Sequence, residues 1–598
     1  MPDSAVVWHP PFSGGIFLFD RKVYFLSNKK HDYAHSRAAK LSLTRPRSAR
    51  VCARAHTFLF DRRVCRQYYL TIVRSVMENK MREKKMRTEE KTEVKNSVGR
   101  LIFVILSVLV QVGWLLVMFM RLNRYSTWIA VGSSILSVVA VLFIYGSRRN
   151  AAFKMPWIII ILAFPVLGVC LYLLMGRPEI TRPMQKRLDV IDGELVKWLK
   201  QDEETFRRLE ETDRSLANQS RYIWKYGKYP VWQNTDVEFY AEAEDGFEAQ
   251  KKELDKAEKF IFMEYHAIED AESFGEIKEI LVRKAAEGVD VRILYDDMGS
   301  IGFINTDFIH RMEEQGVKCR VFNRVIPFLR VFMNNRDHRK ITVVDGKVGF
   351  TGGYNLANEY FNITHPYGRW KDTGVRLEGA AVQNLTVMFL EMWNVMEKSD
   401  AGYEQFFPEV SCAATETGFV QPYADSPLDG EPVGENVYMN VIKNARRYIY
   451  FTTPYLIISD EMSRELGQAA KRGVDVRIIT PGIPDKPLVF KVTRSYYAQL
   501  AVCGVRIYEY TPGFIHAKQC VSDDMTATVG TINLDYRSLY FHFENGVLLH
   551  GCRAVADVKK DFENLFPQCH EVTEQYRSGR NTAVRIGQCL LRLIAPLL

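Results

Sequence analysis

One short pattern occurs twice in this sequence and limits what the chain can fold into. Residues 338–345 and residues 516–523 both have the form HxKxxxxD. After six further residues, each copy is followed by a Gly-x-x-Asn sequence, at residues 352–355 and at residues 530–533. Two copies with the same internal spacing are not expected by chance. The sequence therefore predicts one site that is built from two similar halves.

A longer internal repeat surrounds the two motifs. Each copy contains a helix end that runs into a strand, then a helix, a glycine and a second strand, and then a further glycine and strand. The matching stretches are 257–263 with 445–451, 284–293 with 469–478, and 316–321 with 504–509. Alternating helices and short apolar strands are typical of an α/β fold. We therefore predict two tandem α/β lobes, residues 231–405 and 406–598, each built around a parallel-type sheet and together forming one pseudo-twofold catalytic unit.

The histidines and lysines of the two motifs point to chemistry on a phosphodiester. His338 and Lys340 are two residues apart on a predicted strand, as are His516 and Lys518, so each pair leaves the same face. One imidazole can attack phosphorus, while the other protonates the departing alkoxide and then deprotonates the incoming hydroxyl. Two ammonium groups can balance the developing negative charge, so we expect no metal and no cofactor.

The aspartates of the two motifs have two possible roles. Asp345 and Asp523 complete the pattern and are candidate catalytic residues. Asp345 is also followed by Gly346, and Asp-Gly between two apolar runs is typical of a hairpin turn. A structural role as a turn or hydrogen-bonding anchor is therefore the alternative for both.

Residues that follow each motif complete the predicted site. Gly352 and Gly530 would let the backbone approach a ligand, and the amide groups of Asn355 and Asn533 can donate hydrogen bonds to phosphate oxygens.

A nucleophilic histidine also works best when a carboxylate holds its other ring nitrogen. Asp372, 34 residues after His338, and Glu544, 28 residues after His516, are the candidates, each expected to serve the histidine of its own lobe.

Three apolar segments precede the lobes, at residues 101–120, 128–145 and 156–175, the last interrupted by Pro165 and Gly168. The first two carry no charge, and about 20 apolar residues can span a bilayer. We predict two or three transmembrane helices within residues 97–177, and a linker or membrane-proximal helices at residues 178–230.

The first 96 residues form a basic extension. Residues 1–100 carry 22 Lys and Arg against 9 Asp and Glu, whereas the rest of the chain has 58 against 62. We expect the extension to be disordered, and a true translation start at Met77, Met81 or Met86 is the alternative. Because the catalytic part is slightly acidic, the sequence does not favour nucleic-acid binding. The ten scattered cysteines show neither zinc-site nor disulfide spacing.

These motifs resemble those of the phospholipase D superfamily and, more closely, from about residue 100 onward, those of bacterial cardiolipin synthases of the phospholipase D type. The matching stretches are 164–178, 334–340, 352–356, 369–373, 514–518 and 585–598. The resemblance implies a multi-pass protein of the bacterial plasma membrane that joins two phosphatidylglycerol molecules into cardiolipin and releases glycerol.

The resemblance also implies roles for individual residues. His338 would be the nucleophile and His516 the general acid for the departing glycerol. Lys340, Lys518, Asn355 and Asn533 would hold the phosphate, and Asp372 and Glu544 would orient the histidines.

Three other functions are alternatives. A membrane-anchored phospholipase D would use the same site but pass the phosphatidyl group to water or to other acceptors. A nuclease would need a basic groove, which the charge balance after residue 100 does not favour. A membrane scaffold without catalytic activity would have no use for two intact motifs. The C-terminal helix is expected to be amphipathic and to contact lipid through residues such as Leu590; packing of this apolar surface against the catalytic lobes is the alternative.

Overall fold

A computed structural model describes residues 16–19, 22–25 and 106–597, with gaps at 107–108, 115, 119, 122–126, 148–149, 176–181, 306, 325–334, 398–399, 410–413 and 579–581. The chain divides into two units, residues 1–89 and 90–598. In the first unit, strands β1 (Ile16–Phe19) and β2 (Lys22–Phe25) pair antiparallel. The basic extension was expected to lack regular structure, and these eight residues differ. The rest of it up to residue 96 lies outside the described residues.

The second unit contains all the elements predicted from the repeat. Its helices are α1 (Thr127–Tyr145), α2 (Ala151–Ala163), α3 (Pro165–Met175), α4 (Arg182–Leu195), α5 (Glu203–Thr212), α6 (Arg214–Gly227), α7 (Ala243–Asp255), α8 (Glu272–Ala286), α9 (Asp297–Ser300), α10 (Phe308–Glu314), α11 (Val382–Met396), α12 (Val433–Asn444), α13 (Asp460–Lys471), α14 (Pro487–Val502), α15 (Tyr536–Tyr540), α16 (Arg553–Leu565), α17 (Thr573–Arg577) and α18 (Thr582–Ile594). Its strands are β3 (Thr235–Tyr240), β4 (Phe260–Tyr265), β5 (Asp290–Asp296), β6 (Lys318–Phe322), β7 (Arg336–Asp337), β8 (Lys340–Val344), β9 (Val348–Gly352), β10 (Arg369–Lys371), β11 (Gly374–Gly379), β12 (Phe419–Asp425), β13 (Tyr448–Thr452), β14 (Leu456–Ile457), β15 (Asp475–Pro481), β16 (Arg506–Tyr510), β17 (Gly513–Ile515), β18 (Gln519–Ser522), β19 (Thr526–Gly530), β20 (Leu534–Asp535), β21 (His542–His550) and β22 (Cys569–Glu571).

The two lobes repeat the same sheet. The first has the strand order β3-β11-β9-β8-β4-β5-β6, and the second has β12-β21-β19-β18-β13-β15-β16 with β22 added at its edge. In each lobe only three strands run parallel, β4-β5-β6 and β13-β15-β16, and the others pair antiparallel. The duplication predicted from the sequence is therefore confirmed, but the sheets are mixed rather than wholly parallel.

Glycines end the helices of the repeat where the sequence placed them. Gly288 follows α8 and Gly473 follows α13, with φ angles of +92° and +93°. This left-handed conformation lets the chain leave the helix and enter the next strand, and it favours glycine because other side chains are strained there.

Two short strand pairs join the lobes. Strand β7 runs parallel to the start of β21, and β10 runs parallel to β17. Each pair joins a strand of one lobe to a strand of the other. As a result, the segment that enters the first motif lies against residues from the end of lobe 2, and the segment that enters the second motif lies against residues from the end of lobe 1.

The N-terminal apolar segments differ from the prediction. Residues 101–120 lie partly outside the described residues, and residues 128–145 fall within α1. Residues 156–175 do not form one helix, because the chain breaks at Phe164 and α3 then packs back on α2. At that crossing a Cβ on Gly168 would lie 2.5 Å from Ile161 Cα. Among the described residues, no helix has both the length and the apolar character needed to cross a membrane. The predicted multi-pass arrangement therefore has no support from these helices.

Residues 178–230 were predicted to form a linker or membrane-proximal helices. Helices α4 and α6 instead belong to the main core, where Ile191, Leu195 and Ile223 are almost fully buried. The described part of this region, residues 182–230, therefore packs on the catalytic lobes.

Candidate active site

The two histidines of the repeated motif lie at the junction of the lobes. The backbone N–H of His338 donates to Phe543 O on β21, and that of His516 donates to Lys371 O on β10. Both imidazoles are buried. The cross-lobe strand pairs thus bring the two halves of the predicted site together.

Each histidine is held by a carboxylate from the other lobe. His338 Nδ1 lies 2.9 Å from Glu544 Oε2, and His516 Nδ1 lies 2.6 Å from Asp372 Oδ2. The prediction that each carboxylate serves the histidine of its own lobe is therefore wrong. The reason is the strand pairing, because β21 carries Glu544 past His338 and β10 carries the chain to Asp372 beside His516.

The carboxylates also fix which ring nitrogen can react. Because Nδ1 of each imidazole faces a carboxylate, Nε2 is the atom left for a substrate. His338 Nε2 and His516 Nε2 are therefore the two candidate reacting atoms.

The two lysines lie beside the histidines on buried positions. Lys340 Nζ donates to His338 O at 2.8 Å, and Lys518 Nζ lies 2.7 Å from His516 Nδ1. Burial lowers the pKa of Lys340 to about 8 and that of Lys518 to about 7, although Asp372 and Glu544 oppose this effect. Two cations in one buried site favour an anionic ligand such as a phosphodiester.

The electrostatic surroundings of the two histidines differ. Burial and the neighbouring Lys340 hold the pKa of His338 well below its ordinary value. Burial and Lys518 lower the pKa of His516 to about 3, but Asp372 acts in the opposite direction. Burial raises the pKa of Asp372, yet Lys518, His516 and the Thr373 N–H together hold it below the ordinary value. Asp372 is therefore an ionised partner that can support a proton on His516.

The asparagines and glycines after the motifs have contacts of their own. The Asn355 side chain accepts from Ala267 N–H and donates to Tyr360 Oη, and the Asn533 side chain donates to Ser538 Oγ. Each side-chain amide has a second N–H that can donate a hydrogen bond to a phosphate oxygen.

Gly352 and Gly530 lie where two strands approach each other closely. A Cβ at these two positions would lie 2.4 Å from Thr373 O and 2.5 Å from Asn545 O, respectively. They allow two strands to approach each other, and no ligand contact is needed to explain them.

The motif aspartates lie away from the histidines. Lys340 is the first residue of β8, and Asp345 comes directly after its last residue. The five residues of the strand span about 16 Å, so Asp345 lies far from Lys340. Its carboxylate accepts from the backbone N–H groups of Glu258, Lys259 and Phe260. The catalytic role considered for Asp345 is thus not what the geometry indicates.

Asp523 repeats this arrangement in lobe 2. Its carboxylate accepts from the N–H groups of Arg446, Arg447 and Tyr448, at the start of β13. Asp345 and Asp523 have φ angles of +53° and +56° in their hairpin turns. Both aspartates therefore anchor a turn to the neighbouring strand, which is the structural alternative given by the sequence.

We predict that Asp345→Asn lowers the free energy of unfolding by about 2 kcal/mol, because the amide replaces one acceptor oxygen with a donor that faces the Glu258 N–H. Asn tolerates positive φ, so the change does not strain the turn. Denaturant unfolding measures the effect. The matched change Asp523→Asn should cost less, because water reaches that more exposed turn. A folded Asp345→Asn enzyme with greatly reduced turnover would contradict the structural role.

Several residues of the site were not found from the sequence. His266 and His542 lie next to His338, with ring centroids 4.8 and 5.5 Å from its own. Around His516 the neighbours are aromatic, with Tyr360 and Trp370 both 5.2 Å away. The sequence could have indicated His542, because it lies two positions before Glu544 on the same strand and therefore on the same face of the sheet.

His338, His542 and Glu544 could together hold a metal ion, since their ligand atoms lie within 4.8 Å of one another. Lys340 and Lys518 also face this region, and their charge opposes a divalent cation. The hydrogen bond from His338 to Glu544 gives the carboxylate a role without a metal. The expectation of a metal-independent site stays a prediction.

Two half-sites of histidine, lysine and asparagine, completed by exchanged carboxylates on a duplicated α/β fold, define a phospholipase D-like enzyme. The family model "Cardiolipin synthase, PLD-like domain" matches residues 251–393 and 438–566, and "Phospholipase_D-nuclease N-terminal" matches residues 135–177.

Known relatives give the narrower assignment. A cardiolipin synthase of Geobacillus sp. is 34% identical to this chain, and the match covers 77% of this chain and 92% of the relative. An uncharacterised protein of Streptococcus mutans serotype c is 40% identical, and the match covers 77% of this chain and 99% of the relative. A solved phosphatidylserine synthase of Haemophilus influenzae is 16% identical and covers 63% of this chain and 97% of its own, with a TM-score of 0.48. The chain belongs to the cardiolipin synthase family.

Proposed function

We propose that this enzyme transfers a phosphatidyl group from one phosphatidylglycerol to a hydroxyl group of a second, giving cardiolipin and glycerol. The observation that carries the proposal is the reciprocal pairing of His338 with Glu544 and of His516 with Asp372. It leaves two imidazole Nε2 atoms available in one buried cationic site. The family of the chain supplies the substrate class.

In the first step His338 Nε2 attacks phosphorus of the donor lipid. The P–N bond forms as the P–O bond to glycerol breaks, and His516 gives its Nε2 proton to the departing oxygen. Because the pKa of His516 is about 3 before substrate binds, this step requires that the bound phosphate anion, together with Asp372, stabilises the imidazolium that carries this proton. His338 suits the attacking role because its low pKa keeps the imidazole neutral and its lone pair available.

In the second step the acceptor lipid completes the transfer. Its hydroxyl oxygen attacks phosphorus, the P–N bond to His338 breaks, and His516 Nε2 takes the hydroxyl proton. Asp372 supports this exchange because an ionised carboxylate stabilises the imidazolium that forms. In both steps Lys340 and Lys518 offset the negative charge on the non-bridging phosphate oxygens, and the side-chain amides of Asn355 and Asn533 donate hydrogen bonds to these oxygens.

We also propose that the enzyme works at a membrane surface. Helix α1 exposes a row of large apolar side chains, among them Ile135, Leu142 and Phe143, each more than 60% exposed. Apolar surface of this extent marks an interaction site. Phe153 of α2 packs edge-on against Tyr540 of α15, the helix that follows the second Gly-x-x-Asn sequence. The apolar helices thus adjoin the catalytic lobes, which would hold the site close to its lipid substrate.

The transfer is tested with the full chain in vesicles of phosphatidylglycerol labelled in its headgroup glycerol. Cardiolipin formed together with an equal amount of free glycerol supports the proposal. Phosphatidic acid formed in place of cardiolipin would show that water is the acceptor and would overturn it.

Membrane attachment is tested separately by washing cell membranes with high salt and with alkaline carbonate. Release of the enzyme by salt alone would contradict apolar attachment.

The lysine pair predicts how the rate depends on pH. A lysine is charged below its pKa, and burial lowers the pKa of Lys518 to about 7 and of Lys340 to about 8. If both ammonium groups are needed, kcat/KM falls as pH rises through about 7 to 8, since kcat/KM reports the free enzyme. Initial rates of glycerol release across this range measure the effect. Lys518→Arg stays charged and should move the alkaline decline to higher pH; an unchanged decline would contradict the role of Lys518.

A further inference from the structure

The carboxylate that holds the proposed nucleophile has an unused oxygen. Glu544 is fully buried, and its Oε2 accepts from His338 Nδ1–H and from Thr531 Oγ–H. Its Oε1 is buried and receives no hydrogen bond of normal geometry, although the nearby Ser538 hydroxyl also lowers the pKa of this carboxyl group. A buried carboxylate oxygen without a donor is costly, so a donor is expected close by.

His542 presents a matching unused nitrogen. Its side chain is 10% exposed, and its Nδ1 is also buried and without a hydrogen-bond partner. The distance from His542 Nδ1 to Glu544 Oε1 is 3.5 Å, at the outer limit of a hydrogen bond. Two unsatisfied polar atoms of one strand therefore face each other beside the reacting histidine.

The other ring nitrogen of His542 determines where the proton lies. Arg537 Nε is 3.4 Å from His542 Nε2. A guanidinium can only donate, so His542 Nε2 must accept. In a neutral imidazole the single proton is then on Nδ1, which points to Glu544 Oε1. Burial and the Arg537 charge hold the pKa of His542 well below its ordinary value, which keeps the ring neutral.

We propose that His542 is a positioning residue that donates its Nδ1–H to Glu544 Oε1 and so keeps Glu544 as a carboxylate acceptor for His338. The inference rests on the proposed transfer from phosphatidylglycerol. With both oxygens satisfied, Glu544 holds His338 in the tautomer that carries its proton on Nδ1. A protonated Glu544 could instead donate to His338 Nδ1, and the imidazole proton would then block the reacting Nε2.

The second half-site does not contain this arrangement. Trp370 lies two residues before Asp372, as His542 lies two residues before Glu544, and its ring is next to His516. The second oxygen of Asp372 accepts from the Thr373 N–H instead. Only the half-site of the proposed nucleophile therefore has an additional imidazole on its carboxylate, which distinguishes two otherwise similar halves.

Other ionisable groups also face this pair and must be considered in any pH experiment. They are His266, Asp296, Arg336, His338 and Lys340 from lobe 1, and Lys518, Asp535 and Arg537 from lobe 2. Burial raises the pKa of Glu544, while Lys340, Thr531 and Ser538 oppose the rise. Loss of the His542 donor should raise the pKa of Glu544 further.

The experiment compares His542→Phe with His542→Asn in the full chain. Phe replaces the ring but has no donor, whereas Asn is smaller but its amide can donate to Glu544. We expect His542→Phe to lower the rate of glycerol release about tenfold at neutral pH and to move the acidic decline of the rate to higher pH by about one unit. We expect His542→Asn to keep the pH profile of the unmodified enzyme.

A packing role for His542 predicts the opposite order. His542→Phe would then behave like the unmodified enzyme and His542→Asn would be impaired at every pH. That result, or equal pH profiles for all three enzymes, overturns the inference. If His542→Phe does not fold, as judged by circular dichroism, His542→Leu also lacks a donor and carries the same expectation.

The readout is total glycerol released, whatever the acceptor. Phosphatidic acid formed in place of cardiolipin would therefore refute the proposed acceptor and leave the test of His542 intact.

Discussion

Replacing His338 with alanine is expected to reduce glycerol release from phosphatidylglycerol by at least about 10⁴-fold. The reason is that His338 forms the covalent bond to phosphorus in the proposed order of steps. Glu544 would then face an empty space where His338 Nδ1 now lies 2.9 Å away. The enzyme should still fold, because the shortened side chain removes no core packing residue.

The measurement that checks this role is the covalent adduct. Rapid acid-free quenching of the unmodified enzyme with ³²P-labelled donor lipid should trap a phosphohistidine that peptide mapping places at His338. No adduct should form in His338→Ala. His310→Ala is the matched control, since that imidazole is exposed and pairs only weakly with Glu314 on the same helix. An adduct mapped to His516 would reverse the assignment of the two histidines.

The second large effect is expected for His516→Ala. With phosphatidylglycerol as donor, loss of the general acid and base should lower the rate about 10²–10⁴-fold. With a phosphatidyl ester of p-nitrophenol, departure of the leaving group needs no proton. The first turnover should then stay fast and release a burst of p-nitrophenolate equal to the enzyme concentration.

After that burst, the covalent intermediate should accumulate on His338, because no base remains to activate the acceptor hydroxyl. Asp372→Asn should show the same two-step behaviour with a smaller loss, since His516 is still present but its imidazolium is less stabilised. A variant His516→Ala that reacts slowly with both donors, without a burst, would contradict its role as acid and base. Full activity of that variant with phosphatidylglycerol would contradict the two-histidine mechanism as a whole.

The sequence predicted the parts of the site that repeat. The spacing of His338 to Asn355 and of His516 to Asn533 is local information, and the structure places these residues on matching strands and turns of the two lobes. The turn-forming role of Asp345 could also be predicted, because Asp-Gly between two strands indicates a hairpin turn whatever the turn packs against.

The exchange of carboxylates could not be predicted in this way. Asp372 and Glu544 are close in sequence to the wrong histidines, and only the cross-lobe pairing of β7 with β21 and of β10 with β17 places them. Sequence separation carries no information on such pairing. The break in the third apolar segment had a partial signal at Pro165, but the packing of Gly168 on Ile161 depends on tertiary contacts.

The exchanged carboxylates have a consequence for how the enzyme is made. Synthesis of the first motif is finished long before Glu544, which lies 206 residues further along the chain. A ribosome-bound chain that has completed lobe 1 therefore has a histidine without its orienting group, and it also lacks the second histidine. An unfinished chain that already touches lipid should be unable to cleave it. We therefore expect no cleavage of lipid until β21 of the second sheet has been made, because that strand carries the carboxylate that completes the half-site of His338.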